Sequence, residues 1–265
     1  MAMRPLGEML PGAAARVSAL FCDIDDTLTT DGLLRPEAGE AIWRLRDAGV
    51  AIVLVTGRPA GWGDPLARLL PVAGAITENG AVAFWCVGRT MHRWYARPPR
   101  DMRDDQARLL DTALRIVREI PQCRLAADQP FRISDVAIDF AEEIGPLPLE
   151  TARRIKERFE ETGAKAKISS IHVNAWFGEF DKATSCERFA ADRLGIDIAS
   201  PAAAYAGDSP NDEPLFERFG LSFGVANVAR FAGMMAHHPT FVASREASAG
   251  FAEIAEALLR ARKPA

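Results

Sequence analysis

The segment Val17–Thr27, with the sequence VSALFCDIDDT, joins a short apolar run to a cluster of acidic residues. The run Val17–Cys22 is nearly continuous in apolar side chains, which is typical of a strand buried on both faces of a sheet. Asp23, Asp25 and Asp26 follow directly. Three carboxylates within four residues repel one another, and a divalent cation would remove that penalty. The segment predicts a strand that ends in a candidate Mg²⁺ site, with a solvated acidic turn as the alternative.

The residues that follow alternate between helical and strand patterns. Pro36 opens a helical pattern that Gly49 closes, and Val50–Val55 is a second buried strand. A short helix over Asp64–Leu70 and a strand over Val72–Ile76 complete a βαβαβ unit. Such a unit implies a parallel sheet with right-handed crossovers.

The same alternation returns in the C-terminal third of the chain. The predicted elements there are a helix from about Asp181, strands at Ala203–Ala206, Leu221–Val225 and Thr240–Ala243, and helices at Asn211–Phe219 and Ala249–Arg262. These elements extend the parallel sheet that the N-terminal third begins.

The middle of the chain follows a ββαββαββ pattern, which is typical of an α+β unit with its helices on one face of a sheet. The predicted elements are strands at 81–87, 90–95, 124–126 and 136–140, helices at 101–120 and 149–162, and a hairpin over 165–177. We therefore predict an α/β fold. Its Rossmann-like, doubly wound parallel sheet core comprises residues 1–83 and 180–265, and an α+β domain is inserted at 84–179.

Composition excludes several classes of protein. The chain has 265 residues, 48% hydrophobic and 26% charged, and a net charge of −4, which is ordinary for a globular protein and unlike a binder of nucleic acid or anionic membranes. No apolar run reaches the 18 residues of a membrane span, and the N-terminal segment lacks the apolar stretch of a secretory signal. The four cysteines are far apart, so we expect reduced thiols in a cytoplasmic protein.

Three further motifs fall at the ends of predicted core strands or at the start of a core helix. Thr56 and Gly57 follow the second strand, where a hydroxyl and a backbone N–H could hold an anion. Lys182 begins a helix, a position where a cation is favoured only if an anion lies beside it. Asp208 and Asp212 follow the strand at Ala203–Ala206. Taken singly, each has an ordinary structural explanation: a common loop sequence, an exposed lysine, or a carboxylate at a helix start.

The four motifs together, in this order and spacing, resemble those of the haloacid dehalogenase superfamily of phosphohydrolases. The matching residues are Asp23-Ile24-Asp25-Asp26-Thr27, Thr56, Lys182 and Gly207–Asp212. The insert occupies the position of that family's type II cap, and its pattern is similar to the type IIB cap of the Cof-like and sucrose-phosphate-phosphatase-like branch. Glu78-Asn79-Gly80 and Gly250–Glu253 also look like that branch. Asp26 departs mildly from the family pattern, which often has Gly there.

The resemblance implies a role for each matching carboxylate. Asp23 would be the nucleophile that forms an aspartyl phosphate, and Asp25 the general acid and base. The Asp23 carboxylate, the Asp25 backbone carbonyl and Asp208 would bind Mg²⁺, with Asp212 orienting these ligands.

The remaining matching residues are expected to bind the phosphorylated substrate. Thr56, the Gly57 N–H and Lys182 would hold the phosphoryl oxygens. Asp26 would contribute through its backbone N–H, and Arg58 and Asn211 are further candidates for substrate binding.

The last strand of the insert offers candidates for substrate selection. His172, Asn174 and Trp176 alternate with apolar residues, so this polar row faces the catalytic mouth if the cap helices cover the apolar row. An aromatic ring and two hydrogen-bonding groups would suit a sugar or polyol. The alternative places Trp176 in the cap core and His172 at the surface. Arg132 and Asp139 are expected to be solvated surface charges.

We therefore expect a Mg²⁺-dependent phosphatase that acts on a small phosphorylated metabolite, with a sugar phosphate favoured. The alternatives are a phosphomutase of the phosphomannomutase type and a catalytically silent sugar-phosphate-binding regulatory protein. The expected state is a monomer or homodimer in the cytoplasm, without nucleic-acid or membrane partners.

Overall fold

A computed structural model describes residues 3–262, and these form two β-sheets with helices packed against them. In chain order, the strands are β1 (Arg4–Pro5), β2 (Ala19–Cys22), β3 (Ala51–Val55), β4 (Gly74–Thr77), β5 (Val82–Val87), β6 (Thr90–Tyr95), β7 (Arg124–Leu125), β8 (Val136–Asp139), β9 (Lys165–Ile168), β10 (His172–Trp176), β11 (Ala203–Gly207), β12 (Leu221–Gly224) and β13 (Phe241–Val242). The α-helices are α1 (Pro11–Ala14), α2 (Pro36–Asp47), α3 (Ala60–Leu69), α4 (Pro99–Glu119), α5 (Leu149–Glu160), α6 (Lys182–Phe189), α7 (Glu213–Arg218) and α8 (Ala247–Arg260).

The larger sheet has nine strands in the order β1-β13-β12-β11-β2-β3-β4-β5-β6. All neighbouring pairs from β1 to β4 in this order are parallel, and β5 and β6 add an antiparallel edge. This arrangement confirms the predicted α/β class with a parallel sheet core.

Helices cover both faces of the large sheet. Leu20 on β2 points into a cluster that includes α2 and α8, whereas Phe21 points to the opposite face, where α6 and α7 pack. Because side chains alternate along a strand, a run that is apolar at every position can bury both faces. Burial of a side chain such as Phe21 contributes about 1.5–3 kcal/mol.

The smaller sheet is antiparallel, with strand order β7-β8-β10-β9. α4 and α5 cover one of its faces through Ile116, Ile155 and Phe159, which pack on Val173 and Ala175 of β10. The apolar row of β10 is therefore the one beneath the helices, as expected, and the polar row points away from them.

The first hairpin of the predicted insert does not join this smaller sheet. β5 pairs with β4, with Ala83 opposite Ile76, and so the β5–β6 hairpin extends the large sheet. Gly63 of α3 fits closely against Phe84, and a Cβ at Gly63 would lie 2.1 Å from that ring. The strand pattern locates a hairpin but does not say which sheet it joins, and the boundaries at 84 and 179 stay a prediction.

Some segments were not expected from the sequence. β1 and α1 precede the first predicted strand, and a run of 3₁₀ turns covers Ala226–Met234. α6 continues into a π-helical turn over Ala190–Leu194. Between residues 3 and 262, no helix combines the length and the apolar character needed to cross a bilayer.

Candidate active site

The predicted site residues meet at the carboxyl edge of three adjacent parallel strands. β2 lies between β11 and β3, with Cys22 level with Ala206 and with Leu54. The Asp23 N–H donates to the Ala206 carbonyl over 2.9 Å, which carries the pairing one residue past β2. Asp23, Thr56 and Asp208 therefore leave the sheet side by side, as expected for ligand sites of open α/β sheets.

Three buried carboxylates form a compact cluster at this edge. Asp23, Asp208 and Asp212 each present an oxygen within 4.8 Å of the others. Burial raises the pKa of Asp208, and the nearby Asp23 and Asp212 raise it further. Burial also raises the pKa of Asp23, against the lowering influence of Lys182. This oxygen donor set, with its mutual repulsion, fits a divalent cation such as Mg²⁺.

Lys182 provides the one ammonium group that contacts this cluster among the described residues. Its Nζ lies 2.7 Å from Asp23 Oδ1 and 2.8 Å from Asp212 Oδ1. Burial lowers the pKa of Lys182, but the two carboxylates outweigh this and raise it, so the side chain is charged. One ammonium against three carboxylates leaves an excess of negative charge, which the cation would offset.

The start of α6 is built to place Lys182 here. Asp181 caps the helix by accepting from the Thr184 N–H at 2.8 Å, and Thr184 Oγ1 accepts from the Asp181 N–H at 3.0 Å. Gly80 packs against this turn, where an added Cβ would lie 2.3 Å from the Asp181 carbonyl oxygen. Ser185 also donates to the Gly80 carbonyl at 2.7 Å.

Asp212 has both of its carboxylate oxygens engaged. Oδ1 accepts from Tyr205 at 2.6 Å and from Lys182, while Oδ2 accepts the backbone N–H groups of Asp208 and Ser209 at 3.0 and 3.2 Å. Four donors fix this carboxylate in place. Its geometry is suited to orienting the loop that carries Asp208.

Asn227 is a site residue that the sequence analysis missed. Its Nδ2 donates to Asp208 Oδ2 and to the Asp26 carbonyl, each at 2.9 Å, and its Oδ1 accepts the Ala247 N–H. Thr27 Oγ1 lies 3.4 Å from the other Asp208 oxygen. Asn227 lies in the 3₁₀ segment, whose sequence has no helical or strand period that would have drawn attention to it.

The loop after β3 is held by the turn after β4. The Glu78 N–H donates to the Arg58 carbonyl at 2.9 Å and the Asn79 N–H to the Thr56 carbonyl at 3.1 Å. Both donors lie in a left-handed conformation, with φ of 47° and 53°. Thr56 Oγ1 accepts the Arg58 N–H at 3.0 Å. The hydroxyl and the Gly57 peptide are therefore fixed beside Asp23, as an anion-binding loop requires.

Arg58 contacts Asp25, an arrangement that the sequence analysis did not foresee. Its Nε and Nη2 donate to the Asp25 carboxylate at 2.9 and 2.7 Å, and Nη2 lies 2.6 Å from Glu142 of the α+β unit. The guanidinium also stacks on Trp62, 4.7 Å from the ring centroid. Asp25 therefore faces Arg58 and lies outside the three-carboxylate cluster.

Arg132 is buried, and the expectation of a solvated surface charge is wrong. Its Nη1 donates to the Gly57 carbonyl at 2.8 Å and to Asp135 at 2.9 Å. Asn174 donates to the same Gly57 carbonyl at 3.3 Å and to the other oxygen of Asp135 at 2.9 Å. Two side chains of the α+β unit thus hold the backbone of the loop after β3.

His172 and Asp139 are buried too, which contradicts the surface assignment of both. His172 Nε2 lies 2.8 Å from a Glu142 oxygen. Asp139 accepts the N–H groups of Ala141, Glu142 and Glu143 at 2.8–3.1 Å, and so it shapes the turn that carries Glu142. The alternation of polar and apolar residues located His172 on a strand, but it did not show that other parts of the fold cover this side chain.

Trp176 belongs to an apolar cluster, as the alternative interpretation expected. Its ring is buried next to Phe180, and its Nε1 donates to the Phe180 carbonyl at 3.0 Å.

Asn211 is buried near the site, with its Oδ1 accepting from Ser209 at 2.9 Å. Asp26 is half-buried, and its backbone lies in the left-handed region, with φ of 55°. Glycine adopts this region without steric cost, which explains why the family pattern often has Gly at this position.

The family model of haloacid dehalogenase-like hydrolases matches residues 20–93, a range that contains Asp23, Asp25 and the Thr56 loop. Over these residues the chain is similar to haloacid dehalogenase-like hydrolases. The phosphoglycolate phosphatase of Methanothrix thermoacetophila is similar to this chain, with 27% identity over 245 residues, which cover 90% of this chain and 95% of that protein.

Solved structures share the fold of this chain. Thermoplasma acidophilum 0175 superposes with a TM-score of 0.68 at 16% identity, over 91% of this chain and 98% of that one. The sucrose-phosphatase of Synechocystis, solved with sucrose and phosphate, superposes with a TM-score of 0.61 at 15% identity, over 93% and 98%. The solved structures confirm the predicted fold class. The family-model match and the phosphatase relative support the predicted family and type of enzyme.

Proposed function

We propose that this hydrolase is a Mg²⁺-dependent phosphomonoesterase that acts on a small phosphorylated metabolite through an aspartyl phosphate. The observation that carries the proposal is the convergence of Asp23, Thr56, Lys182 and Asp208 at one edge of the sheet, next to Asp25. A carboxylate nucleophile, anion-binding donors and a candidate cation site thus lie together.

The proposed reaction has two steps. Asp23 attacks phosphorus, the bond from phosphorus to the ester oxygen breaks, and Asp25 gives its proton to the departing alkoxide. Water then attacks the aspartyl phosphate and passes a proton back to Asp25, which releases inorganic phosphate and restores Asp23. The Arg58 guanidinium holds the Asp25 carboxylate in place through both Nε and Nη2.

The Asp23 and Asp208 carboxylates and the Asp25 backbone carbonyl would hold Mg²⁺. The cation supplies charge neutralisation to the phosphoryl oxygens and to the crowded carboxylates. Asp212 would orient these ligands and would not bind the cation itself, because Tyr205, Lys182 and two backbone N–H groups already occupy its oxygens.

Lys182, Thr56 and the Gly57 N–H would bind the phosphoryl oxygens. A lysine ammonium has three N–H donors, and two of those of Lys182 face Asp23 and Asp212, which leaves one for a phosphoryl oxygen. Asn211 and the Asp26 N–H remain candidates for the same task.

A sugar phosphate is the proposed substrate class. The shared fold with a sucrose-phosphatase that binds sucrose and phosphate supports it. The polar row of β10 supports it too, because this row faces away from the cap helices. Asn174 donates to the Gly57 carbonyl of the core, and His172 lies beside Glu142. Four free cysteines support the expected cytoplasmic location, and a monomer or homodimer remains the predicted state.

The test is release of inorganic phosphate from a panel of sugar phosphates with Mg²⁺. We expect turnover that EDTA abolishes and Mg²⁺ restores. Asp23→Asn should lower kcat by at least about 10³-fold, the scale expected for loss of a nucleophile. Asp47→Asn, at an exposed surface pair with Arg46, is the matched control and should keep full activity.

Three results would contradict the proposal. Undiminished turnover in Asp23→Asn would mean that another group attacks phosphorus. Phosphate transfer within the sugar, dependent on a bisphosphate activator, would favour the phosphomutase. Tight binding of sugar phosphates without turnover would favour the silent regulatory protein.

A further inference from the structure

Around Asp25, two guanidiniums and one carboxylate, Asp135, are fully or almost fully buried, and three other carboxylates lie nearer the surface. The Arg58 and Arg132 side chains are 4% and 0% exposed. The carboxylates of Asp25, Asp128 and Glu142, which pair with them, are 14%, 12% and 27% exposed. A molecule that approaches Asp25 from solvent therefore meets carboxylate oxygens, while the guanidiniums lie behind them.

Glu142 is the most exposed of these carboxylates and is firmly positioned. Arg58 Nη2 and His172 Nε2 lie 2.6 and 2.8 Å from its two oxygens, and Asp139 holds the turn that carries it. Burial raises the pKa of Glu142, but the nearby His172 and Arg58 side chains outweigh it and lower the pKa to about 2. The side chain is thus a fixed negative charge.

Glu142 also lies on the side of the site where the leaving group must be. The proposed function requires Asp25 to protonate the ester oxygen, so the leaving group lies next to Asp25. One nitrogen, Arg58 Nη2, contacts both Asp25 at 2.7 Å and Glu142 at 2.6 Å. Atoms attached to the ester oxygen therefore come within reach of Glu142.

We propose that this site selects esters whose leaving group carries neutral hydroxyls and rejects those that carry a carboxylate, with Glu142 as the specificity-determining residue. The inference rests on the proposed phosphatase function. Hydroxyl groups can donate hydrogen bonds to Glu142 and Asp128, whereas a second carboxylate has no proton to donate and is repelled.

Two pairs of esters, matched in size, test this selection. They are 2-hydroxyethyl phosphate against 2-phosphoglycolate, and glycerol 3-phosphate against 3-phosphoglycerate, which differ only by a CH₂OH in place of a carboxylate. We expect wild type to favour the hydroxyl member of each pair by at least about 10-fold in kcat/KM. p-Nitrophenyl phosphate serves as the reference substrate for phosphatase activity.

Glu142→Gln tests the residue assignment. Removal of one charge several ångströms from the leaving group should reduce the preference by about 10-fold. Glu143→Gln is the matched control, because Glu143 is half-exposed on the outside of the same turn, where it pairs with Arg124. It should keep the wild-type preference, and thermal unfolding checks that both variants are folded.

The outcomes separate the two proposals. Equal or faster hydrolysis of the carboxylate esters by wild type overturns the selection while the phosphatase function stands. A Glu142→Gln variant with the wild-type preference overturns the role of Glu142. No phosphate release from any of the five esters by folded wild type with Mg²⁺ overturns the proposed function, and the selection falls with it.

Discussion

At the scale of single residues, Arg58 links the proposed phosphate-binding loop to the proposed acid and base. Its Nε and Nη2 both contact the Asp25 carboxylate, and its backbone N–H contacts Thr56 Oγ1. A planar guanidinium fixes both the position and the rotation of a carboxylate, which a lysine ammonium cannot do. We infer that Arg58 is a positioning residue for Asp25.

Arg58→Lys should therefore lower kcat for an alkyl phosphate by about 10- to 100-fold, the scale of a misplaced catalytic group. The loss should be smaller for p-nitrophenyl phosphate, because nitrophenolate departs without needing a proton. Steady-state kinetics on both esters measures the difference. Arg68→Lys, at an exposed pair with Asp64 on α3, is the control and should be neutral. Equal losses on both esters would count against a role through Asp25.

The sequence predicts which charged residues gather at the sheet edge, but not all of their partners. Asp23, Asp208 and Lys182 follow strand ends or begin a helix, so the topology alone brings them together. Arg132 and Asn174 reach Gly57 across 75 and 117 positions of sequence. Such contacts depend on how the α+β unit sits on the core, which no local pattern records.

At the scale of elements, the turn after β4 and the start of α6 are fitted to each other. Gly80 has φ of 107°, and an added Cβ would lie 2.3 Å from the Asp181 carbonyl oxygen and 2.7 Å from Ser185 Oγ. The close approach sets the position of the first turn of α6, and therefore of Lys182. Replacement of Gly80 would push α6 away from the carboxylate cluster.

Gly80→Ala should destabilise the protein by about 2–4 kcal/mol, since it adds a backbone collision to the strain of a positive φ. It should also reduce kcat, because Lys182 moves with α6. Gly163→Ala is the matched control: its φ is 79°, but the space around it is open, so only the strain of about 1 kcal/mol applies. Urea unfolding and kinetics measure both effects, and equal losses in the two variants would rule out the packing argument.

The strands of the core were predictable because each is a short apolar run that ends at a polar motif. β2 and β3 were expected within two residues of their observed starts and with the correct final residues. The β5–β6 hairpin was located correctly, and it pairs with β4 of the large sheet. Its alternating sequence allows pairing with any free edge, and tertiary packing against α3 decides which one it joins.

At the scale of the whole molecule, a network of buried ion pairs joins the two sheets. Arg58 in the core pairs with Glu142 and Asp128 of the α+β unit. In the other direction, Arg132 of the α+β unit donates to the Gly57 carbonyl of the core. Such a network costs desolvation energy, and its members are stable only when all are satisfied. It holds the α+β unit in one orientation over the site, and its stability should depend on pH.

Glu142 gives that dependence a direction. Its pKa of about 2 in the folded protein lies below the ordinary value of 4.5. The unfolded chain therefore binds more protons between these values, so the contribution of Glu142 to stability is full above about pH 4.5 and is lost as the pH falls toward 2.

Glu142→Gln should be less stable than wild type at pH 6, and the difference should shrink by about 1 kcal/mol at pH 3, after allowance for solvent screening. Urea unfolding of both proteins at the two pH values measures it, with Glu143→Gln, whose side chain is half-exposed, expected to show little change. A difference that stays constant from pH 6 to pH 3 would mean that Glu142 titrates alike in the folded and unfolded chains, and that its pairing with Arg58 does not hold the two sheets together.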